Sequence, residues 1–265
     1  IRAMAMALLG GVGIMLIGLA ASRWALSIMN TPADVMEDAV LYLRICFLGM
    51  VPSLIYNMGT GILRAVGDSK RPLYFLICAS LTNIVLDMVL VAILGMGVAG
   101  AALATVASQC VAAGMTVMSL THTTACYRFV PAYLQLDKEM VEKIVRIGLP
   151  AGLQSVMYSL SNSVVQTSIN SFGTDVVAAY TAYGKIDSIF WMTMNSFGLS
   201  ITTFVGQNFG AGQYDRVKKG VRQCALMAFV ATGLLMAVTL AFGSALFRLF
   251  VQDAPVIRQG VEILH

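Results

Sequence analysis

The sequence predicts an all-α integral membrane protein, and its composition, its long apolar runs and its placement of basic residues each favour that class. Of the 265 residues, 58% are hydrophobic and only 11% are charged, whereas about a quarter of the residues in a soluble domain are charged. The mean hydropathy is +0.81, and a water-soluble fold of this size could not bury that much apolar surface. In a bilayer the backbone must satisfy its own hydrogen bonds, which favours helices.

Seven apolar runs approach or exceed the length of about 20 residues that a helix needs to cross the hydrocarbon core. Turn-forming residues such as Asn30-Thr31-Pro32 and Gly95-Met96-Gly97 separate them. The sequence therefore predicts about seven transmembrane helices. They occupy residues 3–28, 39–62, 72–94, 98–120, 148–171, 177–206 and 223–250.

The basic residues predict which loops face the cytoplasm. Most of them fall in segments 64–71, 128–146 and 216–222, whereas the alternate loops near 95–97 and 172–176 contain none. Loops rich in Lys and Arg stay on the cytoplasmic side of a membrane protein. We therefore expect these three segments in the cytoplasm and the first span to run outward.

A cytoplasmic linker divides the predicted spans into two lobes. Segment 132–147 repeats apolar residues at intervals of three and four, as an amphipathic surface helix does. Pro150 follows in Gly148-Leu149-Pro150, where proline can open the next helix. The predicted organisation is residues 1–125 with four spans, linker 126–147, and residues 148–265 with three spans and the start of a fourth.

A weak internal repeat extends this organisation. Segment 29–44 aligns without gaps with segment 250–265, and six spans separate them. An even number of spans relates two halves by an axis along the membrane normal. The repeat predicts a twelve-span protein, of which this chain is a piece truncated at both ends.

Polar residues at membrane depth mark a candidate ion site. Asp87 follows Asn83 by four residues, so both lie on one helix face. Asp87 and Thr105 each lie nine residues from the turn at Met96, which at 1.5 Å per residue puts both roughly 13 Å below it. Oxygen ligands suit Na⁺, and a carboxylate removed from water suits H⁺. The alternative is that these side chains only tie helices together.

Further polar positions predict a substrate cavity. A stripe at intervals of four residues runs along the fifth span, and the sixth span carries two charged residues spaced too closely to pair on one helix. Polar contacts that hold helices together are the alternative. The predicted cavity residues are Gln154, Tyr158, Asn162 and Gln166 of the fifth span, and Tyr183, Lys185, Asp187 and Asn195 of the sixth.

Cofactor and enzyme chemistry find little support. The five cysteines are widely spaced and there are only two histidines, so neither a disulfide framework nor a histidine-rich metal centre is predicted. No HExxH motif or nucleophile–base arrangement is present, and no channel filter motif is found. The sequence predicts no metal beyond Na⁺ at Asp87, and it predicts that the protein is not an enzyme.

Three motifs give the chain a family resemblance. The segment Gly61-Ile-Leu-Arg-Ala-Val-Gly-Asp-Ser-Lys-Arg-Pro72 precedes Asn83-x-x-x-Asp87. The others are Gly148-Leu-Pro-Ala-Gly152 and Val205-Gly-Gln-Asn-Phe-Gly-Ala-Gly212, which precedes a basic run. Together they resemble the multidrug and toxic compound extrusion (MATE) family over essentially the whole chain. The resemblance implies a two-lobe, twelve-helix transporter fold, with helices three to nine and the start of ten present here.

The resemblance also implies residue roles. Asn83, Asp87 and Thr105 match three of the family's cation-site positions, and the fourth, an Asp on the first helix, lies outside this chain. Some family branches have an acidic residue on helix seven, where this chain has Gln154 and Tyr158 instead.

The implied function is antiport, in which Na⁺ or H⁺ enters as an amphipathic or cationic drug or metabolite leaves. The resemblance implies a multi-pass protein of the bacterial inner membrane, a monomer in the bilayer, with no cofactor other than the coupling ion and no nucleic-acid partner. A lipid-linked oligosaccharide flippase of the same superfamily is the alternative. The charges at membrane depth are mixed, with Asp87 and Asp187 acidic and Lys185 basic. This favours the exporter, since such flippases have cationic cavities.

Overall fold

The computed structural model describes residues 2–28, 31–125, 127–130, 138–248, 256–258 and 260–261, which form helices and connecting turns without a strand. The chain divides into two compact units, residues 1–146 and 147–265. The helices are α1 (Arg2–Ile28), α2 (Met36–Leu48), α3 (Met50–Ala65), α4 (Lys70–Asp87), α5 (Gly97–Thr121), α6 (Lys138–Asn170), α7 (Thr174–Gly210) and α8 (Tyr214–Arg248). A π-helical segment, Met88–Ile93, continues α4.

Within the described residues, five segments are long and apolar enough to cross a membrane: Ala3–Ile28, Met36–Ala65, Lys70–Ile93, Gly97–Thr121 and Tyr214–Arg248. They correspond to five of the seven predicted spans, although residues 249–250 of the last lie outside the described residues. Of the other two, 148–171 lies within α6 except for Ser171, and 177–206 lies within α7. These helices have the required length, but their polar residues lower their hydropathy.

The predicted span 39–62 is two helices, α2 and α3, which break at Gly49. A β-carbon at Gly49 would lie 2.6 Å from Oε1 of Gln109 on α5, so a larger residue would require the Gln109 side chain to move. Pro52 follows within the first turn of α3, where its missing N–H is tolerated. The break therefore brings the α2–α3 junction against α5.

The first unit is a closely packed helix assembly. Helix α5 contacts α2, α3 and α4, and α1 contacts α2 and α3. A β-carbon at Gly18 would clash with the Phe47 ring, and one at Gly59 would lie 2.3 Å from Cγ2 of Thr116. Small residues of this kind let membrane helices approach closely. An apolar core of Met4, Leu63, Phe75, Leu120 and Phe129 lies at one end.

Helix α6 runs without interruption through Pro150, so the prediction that Pro150 opens a new helix is wrong. Proline removes one backbone hydrogen bond, and the remaining turns of this 33-residue helix are continuous on both sides. Of the predicted linker, Cys126 and residues 131–137 lie outside the described residues, and residues 138–146 form the first part of α6.

In the second unit, α7 packs against α8. Phe247 and Ile186 are buried in its core with Ala182, and the backbone of α8 departs from helical geometry at Phe242. The second copy of the predicted repeat, 250–265, lies largely outside the described residues, so the structure leaves the repeat untested.

Candidate functional site

A cavity of about 200 Å³, lined by several polar side chains, lies between α3, α4 and α5. Asn83 and Thr105 both line it, so the structure brings together two of the three predicted cation-site residues. The other lining residues are neutral: Ser53, Tyr56, Leu76, Ala79, Ser80, Ser108, Gln109 and Ala112. The cavity thus offers hydroxyl and amide oxygens to a small ion or to water.

Asp87 lies one turn beyond Asn83, at the last residue of α4. It does not line the cavity. Its Oδ1 atom is buried, and it is the one buried side-chain oxygen or nitrogen of the described residues that has no hydrogen-bond partner. An unpaired carboxylate oxygen is costly at membrane depth. A proton or a cation at this atom would remove that cost.

Thr105 has a partner within its own helix. Its Oγ1 donates a hydrogen bond to the Ala101 carbonyl oxygen at 3.0 Å, which is the purely structural role considered for this residue. The hydroxyl oxygen retains lone pairs that can accept from water or coordinate a cation. Ser108 donates to the Thr105 carbonyl oxygen at 2.7 Å.

The backbone changes form immediately after Asp87. The amide of Leu94 donates to the Val89 carbonyl at 2.9 Å, which closes a π-helical turn, and this segment packs on α5. Gly95 and Gly97 then reverse the chain with φ angles of 63° and 54°. Single π-turns are frequent at functional sites. The sequence pattern predicted a helix here without indicating the wider turn.

Five polar residues of the cavity lining were not predicted: Ser53, Tyr56, Ser80, Ser108 and Gln109. Their spacing contained a usable signal, because Ser108 and Gln109 follow Thr105 by three and four residues on one face of α5. Ser53 and Tyr56 likewise are three residues apart on α3.

The predicted polar stripe of α6 is exposed. Gln154, Tyr158, Asn162 and Gln166 all have solvent-accessible side chains. Gln166 donates to Oδ1 of Asn170 within the helix at 3.0 Å. Tyr158 reaches α7, where its ring centroid lies 5.1 Å from that of Trp191 in an edge-to-face arrangement.

The predicted residues of α7 separate into different environments. Tyr183 and Asp187 line a cavity of about 290 Å³ with Ile186 and Phe190, and α8 contributes Met236, Thr239 and Leu240. Asn195 and Trp191 belong to another hollow on α7 of about 490 Å³, and Asn195 donates to the Trp191 carbonyl at 2.8 Å. Lys185 is exposed and lines neither space.

Within the described residues, no group of three or more His, Cys, Asp or Glu side chains could hold a metal ion. An ion at Asp87 would therefore depend on mixed oxygen ligands such as the Asn83 amide, as hard monovalent and divalent cations accept.

Comparisons with known proteins place this geometry in a family. The MatE family model matches residues 1–89 and 150–265. The chain is 32% identical to the "Probable multidrug resistance protein YoeA" of Bacillus subtilis over 92% of this chain and 54% of that protein. It is 25% identical to a protein named "FAD transporter" from Shewanella oneidensis over 86% of this chain and 51% of that protein.

A solved structure shares the fold. The outward-facing conformation of a multidrug resistance MATE family transporter of the MOP superfamily superposes with a TM-score of 0.89 at 24% identity, covering 99% of this chain and 59% of that one. The chain spans about half the length of the curated relatives it matches. The family and the apolar helices identify a multi-pass protein of the bacterial inner membrane. The chain belongs to the MatE (MATE) family of multidrug efflux proteins, whose members are membrane transporters and not enzymes.

Proposed function

We propose that this protein is a cation-coupled antiporter that exports amphipathic or cationic compounds in exchange for Na⁺ or H⁺. The observation that carries the coupling half of the proposal is the buried, unpartnered Oδ1 of Asp87. A negatively charged oxygen without a hydrogen-bond partner is disfavoured in a low-dielectric interior. Arrival of a cation or proton at Asp87 removes that penalty, so its occupancy can shift the balance between transporter conformations.

The surroundings of Asp87 support an ion route. Asn83 lies one helical turn away on the same face and lines the neutral cavity between α3, α4 and α5. The cavity's hydroxyl and amide groups can replace part of the hydration shell of an ion approaching Asp87. No cofactor other than this ion is required by the proposal.

A second acidic residue supports the choice of substrate class. Asp187 lies in the cavity between α7 and α8, beside Tyr183, Phe190 and Met236. A carboxylate with aromatic rings attracts an organic cation through charge and cation–π interactions, and methionine adapts to different ligand shapes. The lining contains an acidic residue and no basic one. This favours a cationic cargo over the phosphate-bearing cargo of a flippase.

The test uses the full-length protein in sealed vesicles loaded with a fluorescent lipophilic cation. A Na⁺ gradient and a pH gradient are imposed separately, and efflux is followed in each. We expect one gradient to drive efflux and Asp87→Asn to reduce the driven rate to background, because the neutral amide has no charge for the coupling ion to compensate.

Asp68→Asn is the matched control. This carboxylate lies at the start of α4, where its Oδ1 accepts hydrogen bonds from the backbone amides of Lys70 and Arg71 at 3.1 Å. We expect its gradient response to remain, since asparagine can also cap a helix. Gradient-driven efflux by Asp87→Asn at the wild-type rate would overturn the coupling proposal. Transport of FAD in preference to the cation would overturn the substrate class while leaving the coupling site intact.

A further inference from the structure

We propose that the groove between α7 and α8 next to the loop at residues 211–213 binds one anionic phospholipid, with its headgroup on Arg216 and Lys219. This site is separate from Asp87 and from the Tyr183–Asp187 cavity, and it holds a structural or regulatory lipid rather than cargo. The inference goes beyond the proposed antiport and does not depend on it.

The groove is built from matching faces of the two helices. Each contributes residues at intervals of three and four: Phe197, Ser200, Ile201 and Phe204 from α7, and Gly220, Gln223, Cys224 and Met227 from α8. Its volume is about 350 Å³. Such a largely apolar channel matches a stretch of acyl chain rather than a polar solute.

Gly220 shapes the groove by its lack of a side chain. A β-carbon there would lie 2.1 Å from the Phe204 ring, so the ring occupies the space that any other residue would need. Deeper in the groove, the Cys224 Sγ atom lies 3.9 Å from the Phe197 carbonyl oxygen, which shows that α7 and α8 remain close.

The groove has a fixed position relative to the loop. Phe204 is six residues before Gly210 and Gly220 is six after Tyr214, so at 1.5 Å per residue the groove begins roughly 9 Å from the helix ends. Phe209 and Tyr214 pack edge to face at the loop with a centroid distance of 5.3 Å, and both rings are more than half exposed. Exposed aromatic pairs are typical of the membrane–water interface. The groove therefore extends from headgroup level into acyl-chain depth.

Positive charge lies at the headgroup end. Arg216 is four residues before Gly220 and Lys219 is four before Gln223, so both stand one turn above groove residues. Arg216 donates one hydrogen bond to Oε1 of Gln213 at 3.0 Å, and its guanidinium has further donors for a phosphate. Basic residues above an apolar space between helices are the arrangement that binds anionic headgroups.

Not all charges of this segment share that face. At 100° per residue, Lys218 and Arg222 project on the side of α8 opposite Gly220, whereas Asp215 stands one turn before Lys219. The sequence thus supplies two pairs of equal charge: Arg216 stands over the groove with Lys219 at its edge, and Lys218 and Arg222 lie on the other side of the helix.

The experiment titrates the purified full-length protein in detergent with phosphatidylglycerol and, separately, with phosphatidylcholine of the same acyl chains, and counts bound lipid by native mass spectrometry. We expect one phosphatidylglycerol to bind in preference to phosphatidylcholine. The double variant Arg216→Gln/Lys219→Gln should weaken that binding roughly 25-fold, about fivefold for each charge removed. Lys218→Gln/Arg222→Gln should remain within about twofold of the wild type.

A second variant tests the acyl-chain half of the site. Ser200→Phe fills the groove and keeps all four charges, and we expect it to weaken phosphatidylglycerol binding at least fivefold. Three results would each overturn the proposal. They are equal losses from the two charge pairs, no preference for phosphatidylglycerol in the wild type, and displacement of the lipid by millimolar glycerol phosphate. The readout is lipid binding, so failure of the antiport proposal would leave this result unaffected.

Discussion

The helices of residues 2–121 and those of residues 138–248 differ in how closely they pack. In the first group, glycines at Gly49 and Gly59 admit side chains of α5, and a cavity with several polar side chains lies between three helices. In the second group of this chain, which spans about half the length of its relatives, α7 and α8 pack together while almost every described side chain of α6 is exposed. Polar residues at similar sequence spacing therefore have different surroundings in the two groups.

The difference affects the polar residues, because some of them have neighbours on other helices and others do not. Asn83 on α4 faces a cavity completed by α3 and α5. Asn162 on α6 is exposed. Periodicity alone placed both residues on polar faces, and only helix packing distinguishes them.

The largest expected effect concerns the close packing of the first group. Gly59→Ala places a β-carbon 2.3 Å from Cγ2 of Thr116, so we expect a loss of about 1–3 kcal/mol in unfolding free energy from overpacking. Thermal unfolding of the detergent-solubilised protein measures the change.

Gly114→Ala is the matched control, because nothing lies within 4 Å of a β-carbon at this helical position of α5. It should be neutral or stabilising by up to about 1 kcal/mol, since alanine favours the helix. Equal unfolding temperatures for the two variants would show that the contact between α3 and α5 is looser than the structure indicates.

A smaller effect should separate the two asparagines. Asn83→Ala removes an amide oxygen next to the Asp87 ion route, and we expect the coupling-ion concentration for half-maximal efflux to rise about tenfold, equivalent to about 1.4 kcal/mol of lost ion binding. Asn162→Ala removes an exposed amide and should change this half-maximal ion concentration less than twofold. Efflux measured over a series of ion concentrations gives both values, and a larger effect of Asn162→Ala would reverse the comparison.

The smallest expected change is in substrate binding. Asp187→Asn retains the shape of the cavity between α7 and α8 but removes its carboxylate charge. We expect the apparent affinity for a lipophilic cation to fall about fivefold, the loss of roughly 1 kcal/mol of charge attraction, while the ion dependence of efflux is unchanged. A neutral substrate of the same shape is the control. An equal loss for both compounds would assign Asp187 to packing instead.

The candidate site was partly predictable from the sequence. The intervals of four residues between Asn83 and Asp87, and of nine residues on either side of Met96, depend only on helix geometry. They predicted that Asn83, Asp87 and Thr105 converge; in the structure Asn83 and Thr105 line one cavity, and Asp87 lies outside its lining. Ser53 and Tyr56 were missed because they reach the cavity from α3, and a single-helix pattern contains no information about which neighbour a helix packs against.

By itself the sequence determined the helical membrane class, the positions of the long apolar helices and the residues that resemble the MATE motifs, because hydropathy and turn chemistry are local properties. The break at Gly49, the π-turn after Asp87 and the groove beside Gly220 were decided by the tertiary structure. Each depends on contacts, or on hydrogen bonds retained or lost, between groups whose proximity arises only when helices pack.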